Sequence, residues 1–258
     1  MELQRFRSVW ISDVHLGTRD CKAELLNQFL ETADSEYLYL VGDIIDFVSM
    51  ENSWYWPRSH NAILQKLLNK AEHGTRIVYL PGNHDAVLRQ FIGSSLGPIA
   101  IAEQVSHQTI DGRRLLTLHG DKFDSLIRHN AILSMIGSNS YEVLQTLDRG
   151  LNHLRAMLGF SYWSLSTYLK TNLKHAARYI ELFETVAARE GLRYAVDGVV
   201  CGHIHKPAIK VINGILYCND GDWVEDCTSL VEYRDGNLAM VNWAEATGEI
   251  RQGRMARA

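Results

Sequence analysis

The sequence has few cysteines and no long apolar run, and each shortage excludes a class of protein. Only four of the 258 residues are cysteine, and no two of them form a Cys-x-x-Cys pair. This pattern argues against a structural zinc site and is typical of buried thiols in a reducing compartment. No stretch reaches about 18 uninterrupted apolar residues, so we predict no membrane-spanning helix.

The chain also lacks an excess of positive charge. Its formal net charge is −4, so we expect no nucleic-acid partner. The charged first residues, 1–7, lead directly into an apolar run, which predicts no signal peptide. We therefore expect a cytoplasmic protein. Contact with the inner face of the cytoplasmic membrane stays open, as does the oligomeric state.

The first half of the chain alternates between strand and helix patterns. Short apolar runs predict strands over 8–12, 37–41 and 76–80, and apolar residues at helical spacing predict helices over 23–31 and 60–73. Such alternation predicts a sheet rich in parallel strands, with helices outside it.

The second half carries turn signals that are typical of β-hairpins. Asp111-Gly112, Asn213-Gly214 and Asp235-Gly236 each separate two apolar runs. Parallel units and antiparallel hairpins in one molecule predict an α/β fold, in which two mixed β-sheets pack together and helices flank them.

Residues 125–191 have no proline and little strand signal, which predicts a helical cap insert within a single domain of residues 1–250. Residues 251–258 are expected to be a disordered tail. Lys170, Lys174 and Arg178 recur at helical spacing, and their shared face is a candidate substrate-binding surface for phosphates or anionic lipid. The alternative is a cap that packs on its own domain and keeps this basic side in solvent.

Five short motifs follow apolar runs that predict buried strands. They are Asp13-Val14-His15, Gly42-Asp43, Gly82-Asn83-His84-Asp85, His119-Gly120-Asp121 and Gly202-His203-Ile204-His205. Ligands bind beyond the carboxyl ends of strands in open α/β sheets, so the first three motifs should converge. Carboxylate, imidazole and amide donors suit Mn²⁺, Fe²⁺ or Zn²⁺. Each motif alone is more typical of turn or core chemistry, but together they predict a two-metal phosphoesterase site.

Within and around this site we assign further roles from position. Asp43 is the candidate bridging ligand, because it lies between two ligand groups in the chain. His84 is the candidate catalytic acid or transition-state stabiliser, and Asp85 the carboxylate that orients it. Asp121 and Asp124 are expected to orient His119 or its neighbours, and Asp121 is also a candidate substrate-binding residue. The aromatic run 54–56 either lines a substrate wall or packs internally.

From residue 9 to about 233, these motifs resemble the calcineurin-like metallophosphoesterase superfamily. The resemblance implies a four-layer αββα sandwich with two divalent metals. It implies two ligand sets, one of Asp13, His15, Asp43 and His205 and the other of Asp43, Asn83, His119 and His203.

A narrower resemblance rests on the His119 motif with Phe123-Asp124, the helical insert and Gly221-Asp222-Trp223. These features are similar to the UDP-2,3-diacylglucosamine hydrolase group. That group implies Mn²⁺-dependent cleavage of a pyrophosphate to UMP and a lipid 1-phosphate, in lipid A synthesis. The chain departs from it at His84, where the main enzymes carry arginine.

Two other functions stay open at this point. A soluble phosphodiesterase or nucleotide phosphatase would use the same metals on a non-lipid substrate. A non-enzymatic scaffold would have lost ligands, and this chain keeps the complete set that a dinuclear site requires.

Overall fold

The computed structural model describes residues 3–127 and 165–246, with the backbone alone over 165–175. Contacts divide the chain into two compact units, Met1–Asp121 with Ala187–Ala258, and Lys122–Val186. Most of the predicted cap insert and the predicted tail over 251–258 lie outside the described residues. The domain assignment therefore stays a prediction.

The described part of the chain contains both helices and strands. The helices are α1 (Ala23–Thr32), α2 (Phe47–Asn52), α3 (Arg58–Glu72), α4 (Leu165–Arg193) and α5 (Trp243–Ala246), with a 3₁₀ helix at Ala86–Phe91. The strands are β1 (Gln4–Ile11), β2 (Ala33–Leu40), β3 (Arg76–Tyr79), β4 (Ser95–Leu96), β5 (Ile99–Ile101), β6 (Val105–Gln108), β7 (Arg114–Thr117), β8 (Gly198–Cys201), β9 (Ala208–Ile212), β10 (Ile215–Asn219), β11 (Thr228–Glu232) and β12 (Leu238–Asn242). No helix in these two ranges is both long and apolar enough to cross a membrane.

The strands form two mixed sheets, as the sequence predicts. The first sheet has the order β12-β11-β1-β2-β3-β5-β4 and the second β6-β7-β8-β10-β9. Strands β1, β2, β3 and β5 run parallel, as do β7, β8 and β10. All three predicted hairpins are confirmed, at β6–β7, β9–β10 and β11–β12. Strands β4 and β5 were not predicted, because runs of two or three residues carry too little periodicity to detect.

Alternating side chains of β1 show how the layers are built. Val9 and Ile11 are buried in the cluster that includes the apolar faces of α1 and α3. Trp10 points the other way and packs with Tyr39 and with residues of the second sheet, including Val200. Strand side chains alternate between faces, so β1 contacts helices on one side and a sheet on the other.

The last turns of α4 cover the outer face of the second sheet. A Cβ built on Gly191 would lie 2.8 Å from Val199 and 2.9 Å from Ile215, so only glycine allows this close approach. Helices thus cover both outer faces of the sheet pair. The predicted four-layer αββα sandwich is confirmed.

A buried carboxylate joins the two sheets. Glu232 of β11 accepts hydrogen bonds from Arg7 Nη1 (2.9 Å), from Ser8 Oγ (2.8 Å) and from the Ile110 backbone amide (2.8 Å). His107 Nε2 of the second sheet lies 2.8 Å from it. Burial alone would raise the pKa of Glu232, but His107 and the Ile110 amide outweigh it and lower the pKa from 4.5 to about 2.

We predict that Glu232→Gln lowers the free energy of unfolding at pH 7 by about 3 kcal/mol, since it breaks a buried charged network. The lowered pKa of Glu232 stabilises the fold above about pH 4.5, and this contribution is lost as the pH falls towards 2. The difference in the free energy of unfolding between wild type and variant should therefore shrink as the pH falls from 4.5 to 2. Urea unfolding of chelator-treated protein at pH 7 and pH 3 measures it.

Glu103→Gln is the matched control, because Glu103 is exposed in the same sheet region. It should change stability by no more than about 0.5 kcal/mol. A Glu232 variant as stable as this control would contradict the proposed importance of the network.

Candidate metal centre

The predicted ligands follow parallel strands of both sheets. Asp13 and His15 follow β1, Asp43 follows β2, Asn83 follows β3, His119 follows β7, and His203 and His205 follow β8. Backbone hydrogen bonds join these loops, from Asp13 N to Gly42 O (3.0 Å) and from Gly202 N to His119 O (3.1 Å). The packed sheets thus place the carboxyl ends of both strand sets at one edge.

One group of ligand atoms centres on Asp13. Asp13, His15 and His205 offer donor atoms that all lie within 4.8 Å of one another. Asp13 Oδ1 is 3.1 Å from His205 Nε2, and Asp13 Oδ2 accepts a hydrogen bond from the His203 amide (2.8 Å). We call these three residues the Asp13 cluster; it joins β1 of the first sheet to β8 of the second.

A second group centres on Asp43. Asp43, His119 and His203 likewise have donor atoms within 4.8 Å of one another, and we call them the Asp43 cluster. His119 Nδ1 lies 2.8 Å from the Val41 carbonyl oxygen, so its Nε2 faces Asp43 Oδ2 at 3.3 Å. The other Asp43 oxygen accepts a hydrogen bond from the His84 amide (2.8 Å).

The geometry of these atoms fits metal ligation. Among the described residues, Asp13 Oδ1 and His119 Nε2 are buried atoms without a hydrogen-bond partner. Each nevertheless lies close to an atom of opposite charge, at 3.1 Å and 3.3 Å. Buried polar atoms without a hydrogen-bond partner are uncommon, and a bound cation would satisfy both of these.

Five candidate ligands have backbone conformations that side chains other than glycine rarely adopt. The φ angles are 50° at Asp13, 53° at His15, 52° at Asp43, 71° at His203 and 49° at His205. Each such conformation costs about 1–3 kcal/mol and persists only where the surrounding structure enforces it. The surrounding structure therefore keeps these loops in strained conformations, which set the directions of the candidate ligand side chains.

The buried acids make the centre attractive to positive charge. Burial alone would raise the pKa of Asp43, but His119 and the His84 amide outweigh it, and the pKa lies below its ordinary value. Burial likewise opposes protonation of His119, yet Asp43 and Asp13 raise its pKa to about 10. A divalent cation would satisfy the same carboxylates, so metal binding and proton release are coupled here.

Asp46 contacts two histidines of the centre, although the sequence motifs did not indicate it. Its Oδ2 lies 2.9 Å from His15 Nδ1, and its Oδ1 lies 3.0 Å from His84 Nδ1. It also accepts a hydrogen bond from the Ser49 amide (2.7 Å) at the start of α2. A carboxylate on the far nitrogen of a ligating histidine sets the ring orientation. The Asp-x-x-Asp spacing from Asp43 to Asp46 was the available signal.

The prediction that Asp85 orients the His84 imidazole is wrong. Asp85 accepts hydrogen bonds from the amides of Gly82 (2.6 Å) and Ile44 (2.8 Å) and from the Tyr79 hydroxyl. Burial raises the pKa of Asp85 above its ordinary value. Asp85 therefore holds the Asp43 loop against the His84 loop, and the partner of His84 is Asp46 instead.

Asp121 and Asp124 contact side chains other than the His119 ring, so of their two expected roles only the orientation of neighbouring groups stays a prediction. Asp121 Oδ2 pairs with Arg89 Nη2 (2.7 Å), and Asp124 accepts a hydrogen bond from the Tyr179 hydroxyl (2.5 Å). His119 is oriented by the Val41 carbonyl, because a backbone acceptor lies within reach of its buried ring. Substrate binding by Asp121 stays a prediction.

Behind Asp13 lies a second unpredicted carboxylate. Ser12 Oγ lies 2.5 Å from Asp13 Oδ2 and 2.8 Å from Asp220 Oδ1. Burial and the nearby Asp13 raise the pKa of Asp220 well above its ordinary value. Asp220 is distant in sequence and belongs to no motif, so no local pattern indicated it. The Trp223 amide donates to the Asp13 carbonyl (3.0 Å), so the 221–223 segment also borders the centre.

The remaining predicted residues belong to neither the Asp13 cluster nor the Asp43 cluster. Asn83 is exposed in the turn that follows β3, and its ligand role stays a prediction. Positions 170, 174 and 178 fall within α4, and their four-residue spacing places them on one stripe of that helix. Arg178 is exposed. The side chains of Lys170 and Lys174 lie outside the described residues.

We predict that Asp43→Ala removes metal from the centre, because Asp43 is the proposed shared ligand. The variant should retain one metal ion or none after loading, against two in wild type, and should lose activity. Metal content per chain, measured after dialysis, and the melting temperature together separate lost ligation from lost folding.

Asp34→Ala is the control, since Asp34 is an exposed acid at the distant end of β2. It should keep both metals. Full metal content and full activity in the Asp43 variant would disprove the dinuclear assignment.

The chain is similar in sequence to proteins of two different names. A curated protein of Xanthomonas campestris pv. campestris (strain B100), named UDP-2,3-diacylglucosamine hydrolase, is 26% identical over 255 residues, covering 89% of this chain and 96% of that protein. The DNA polymerase II small subunit of Halobacterium salinarum (strain R1) is 26% identical over 237 residues, covering 83% of this chain and 42% of that protein.

Among solved structures, vacuolar protein sorting 29 of Cryptosporidium parvum matches with a TM-score of 0.44 and 15% identity, covering 91% of this chain and 95% of that one. The family model described as calcineurin-like phosphoesterase matches residues 6–207. This match spans most of the chain, which thus belongs to the calcineurin-like phosphoesterase family and is a metal-dependent hydrolase.

Proposed function

We propose that the protein hydrolyses the pyrophosphate of UDP-2,3-diacylglucosamine and releases UMP and the lipid 1-phosphate. The observation that carries this proposal is the likeness to proteins of that name over 89% of the chain. The Asp13 cluster and the Asp43 cluster support a phosphoryl-transfer reaction of this kind, since each joins carboxylate and imidazole donors at strand ends.

We assign the ligands in two sets that share Asp43. The first set is the Asp13 cluster with Asp43, and the second is the Asp43 cluster with Asn83. Oxygen and nitrogen donors suit Mn²⁺, which we propose as the metal, while Fe²⁺ and Zn²⁺ are the competitors. When bound, such a metal pair supplies water activation and offsets charge on the phosphoryl oxygens.

His84 is the proposed catalytic residue beside the metals. Its side chain is partly exposed, and its Nδ1 lies 3.0 Å from Asp46 Oδ1. The Nδ1 atom thus faces Asp46, and we propose that Nε2 meets a phosphoryl or leaving-group oxygen. We assign it proton donation to the leaving group or a hydrogen bond that stabilises the transition state.

We predict that His84→Ala keeps both metals but lowers turnover by roughly 10²–10⁴-fold, the usual effect of losing a positioned acid or donor. Metal analysis and kcat on bis-p-nitrophenyl phosphate measure the two effects separately. His73→Ala, at an exposed histidine at the C-terminal end of α3, is the control. Loss of metal from the His84 variant would instead make His84 a ligand.

A second candidate function is a phosphodiesterase or nucleotide phosphatase with a water-soluble substrate. A cleft of about 420 Å³ beside the centre, which we call the polar cleft, favours this second function. It is lined by His15, Thr18, Asp20, Lys22, Asp46, Ser49, His205, Val224 and Glu225. Its hydroxyls and the Lys22 ammonium could hold the sugar and phosphate of a water-soluble ester without any apolar contact.

The direct test compares two substrates on Mn²⁺-loaded protein. We expect kcat/KM for UDP-2,3-diacylglucosamine to exceed that for bis-p-nitrophenyl phosphate by at least about 100-fold, with UMP as the nucleotide product. Turnover of the small diester without the lipid would support the second candidate. Fe²⁺- and Zn²⁺-loaded samples test the metal assignment in the same assay.

The basic stripe of α4 gives a further prediction. Replacing Lys170, Lys174 and Arg178 by alanine together should raise KM for the lipid-linked substrate by about tenfold or more, since charge attraction to phosphates is lost. Cleavage of bis-p-nitrophenyl phosphate should change less. Steady-state kinetics on both substrates measures the difference.

A charge-matched control replaces Arg5, Lys210 and Arg234, which are exposed elsewhere on the surface. This variant should leave both KM values within about twofold. Equal losses on both substrates in the α4 variant would make the stripe a structural feature rather than a binding surface.

A further inference from the structure

An apolar groove lies beside the metal centre. It has a volume of about 460 Å³ and is lined by Ile45, Phe47, Met50, Trp54, Trp56 and Val87, with Glu51 as its one charged residue. We call it the Trp54 groove. Helix α2 contributes residues to both recesses, Ser49 to the polar cleft and Phe47 and Met50 to the groove.

The inner wall of the Trp54 groove is held in place by the protein itself. The Trp56 ring meets the His60 ring edge-on, with centroids 5.5 Å apart. His60 is buried, and its Nδ1 accepts a hydrogen bond from the Gly17 amide (3.1 Å). Arg19 lies over the Tyr55 ring at 4.6 Å, which fixes the same loop from the other side. The wall is thus formed before any ligand arrives.

The outer wall, in contrast, leaves large apolar surfaces in solvent. Trp54 is 77% exposed and Val87 is 50% exposed. The Trp54 and Trp56 ring centroids are 6.5 Å apart, the separation of a tilted aromatic pair, so the two rings form one continuous aromatic surface along the groove. Clustered exposed apolar surface of this kind marks a binding site, because covering it removes it from water.

The groove opens next to the groups proposed for catalysis. The Phe47 amide donates to the His84 carbonyl (3.1 Å), and Ile45 directly precedes Asp46, which contacts both His15 and His84. The groove therefore adjoins the metal centre, and a chain attached to a phosphorus atom held there would extend into it. The Glu51 carboxylate disfavours an anionic occupant there, and the apolar lining favours a hydrocarbon.

We propose that the Trp54 groove binds an alkyl chain attached to the phosphate ester, while the polar cleft holds the polar part of the substrate. The groove residues then determine specificity for amphiphilic esters. This inference rests on the proposed phosphoesterase chemistry, but it does not depend on the identity of the nucleotide or sugar.

The test uses methyl and octyl p-nitrophenyl phosphate, two esters that share a leaving group and differ only in the alkyl chain. Wild type should prefer the octyl ester by about 10–100-fold in kcat/KM, mainly through KM. In the double variant Trp54→Ala, Val87→Ala that ratio should fall to within about threefold of one. The single variant Trp54→Phe keeps an aromatic ring at this position and should retain most of the wild-type preference for the octyl ester.

Val48→Ala is the matched control, since Val48 is 49% exposed in the same helix but does not line the groove. It should keep the wild-type ratio. A ratio near one in wild type, or an unchanged ratio in the double variant, would overturn the proposal.

A binding measurement separates this proposal from the proposed function. Octylphosphonate should bind Mn²⁺-loaded wild type about 10–100-fold more tightly than methylphosphonate, and the double variant should lose this difference. Isothermal titration calorimetry detects both without turnover. Equal affinities would overturn the groove assignment even in an active enzyme, whereas absent turnover with a retained affinity difference would count against the proposed function alone.

Discussion

Two buried carboxylates, Asp13 and Asp43, lie within 3.1–3.3 Å of histidines supplied by the opposite sheet. A buried charge is costly unless it is paired, so these contacts constrain how the sheets meet. The backbone has to approach unusually closely to permit them. A Cβ on Gly42 would lie 2.3 Å from His119, and one on Gly82 would lie 2.3 Å from Asp43. The motif glycines therefore allow the ligand loops to approach closely, and the carboxylates and histidines that follow supply the paired charges.

Other acids of the first sheet support this arrangement in different ways. Asp85 joins two ligand loops through backbone amides, and Asp46 joins two histidines through their Nδ1 atoms. Glu232 joins the two sheets far from the centre, through an arginine, a serine and a histidine. All three are buried, so each carboxylate depends on its hydrogen-bond donors being correctly placed. The strain of the left-handed ligand loops is sustained by this network.

Around the centre the surface divides by polarity, and α2 contributes residues to both sides. Its Ser49 lines the polar cleft together with Lys22, whereas its Phe47 lines the Trp54 groove. A substrate with a charged head and a hydrocarbon tail would match that division. The proposed function and the proposed groove occupant therefore share one physical basis, the separation of polar and apolar surface on either side of a phosphoryl-binding point.

The strands, helices and hairpins of this protein could largely be predicted from local sequence pattern. Their signals, such as hydrophobic periodicity and the turn pairs Asn213-Gly214 and Asp235-Gly236, act over a few residues. Those signals predicted the two mixed sheets and brought the candidate ligands to strand ends in the right order. They could not assign the partner of His84, which is Asp46 rather than the adjacent Asp85. Nor could they indicate the buried Asp220 or the apolar groove that Trp54 and Trp56 line. Those features depend on contacts between segments distant in the chain, so only the tertiary structure decided them.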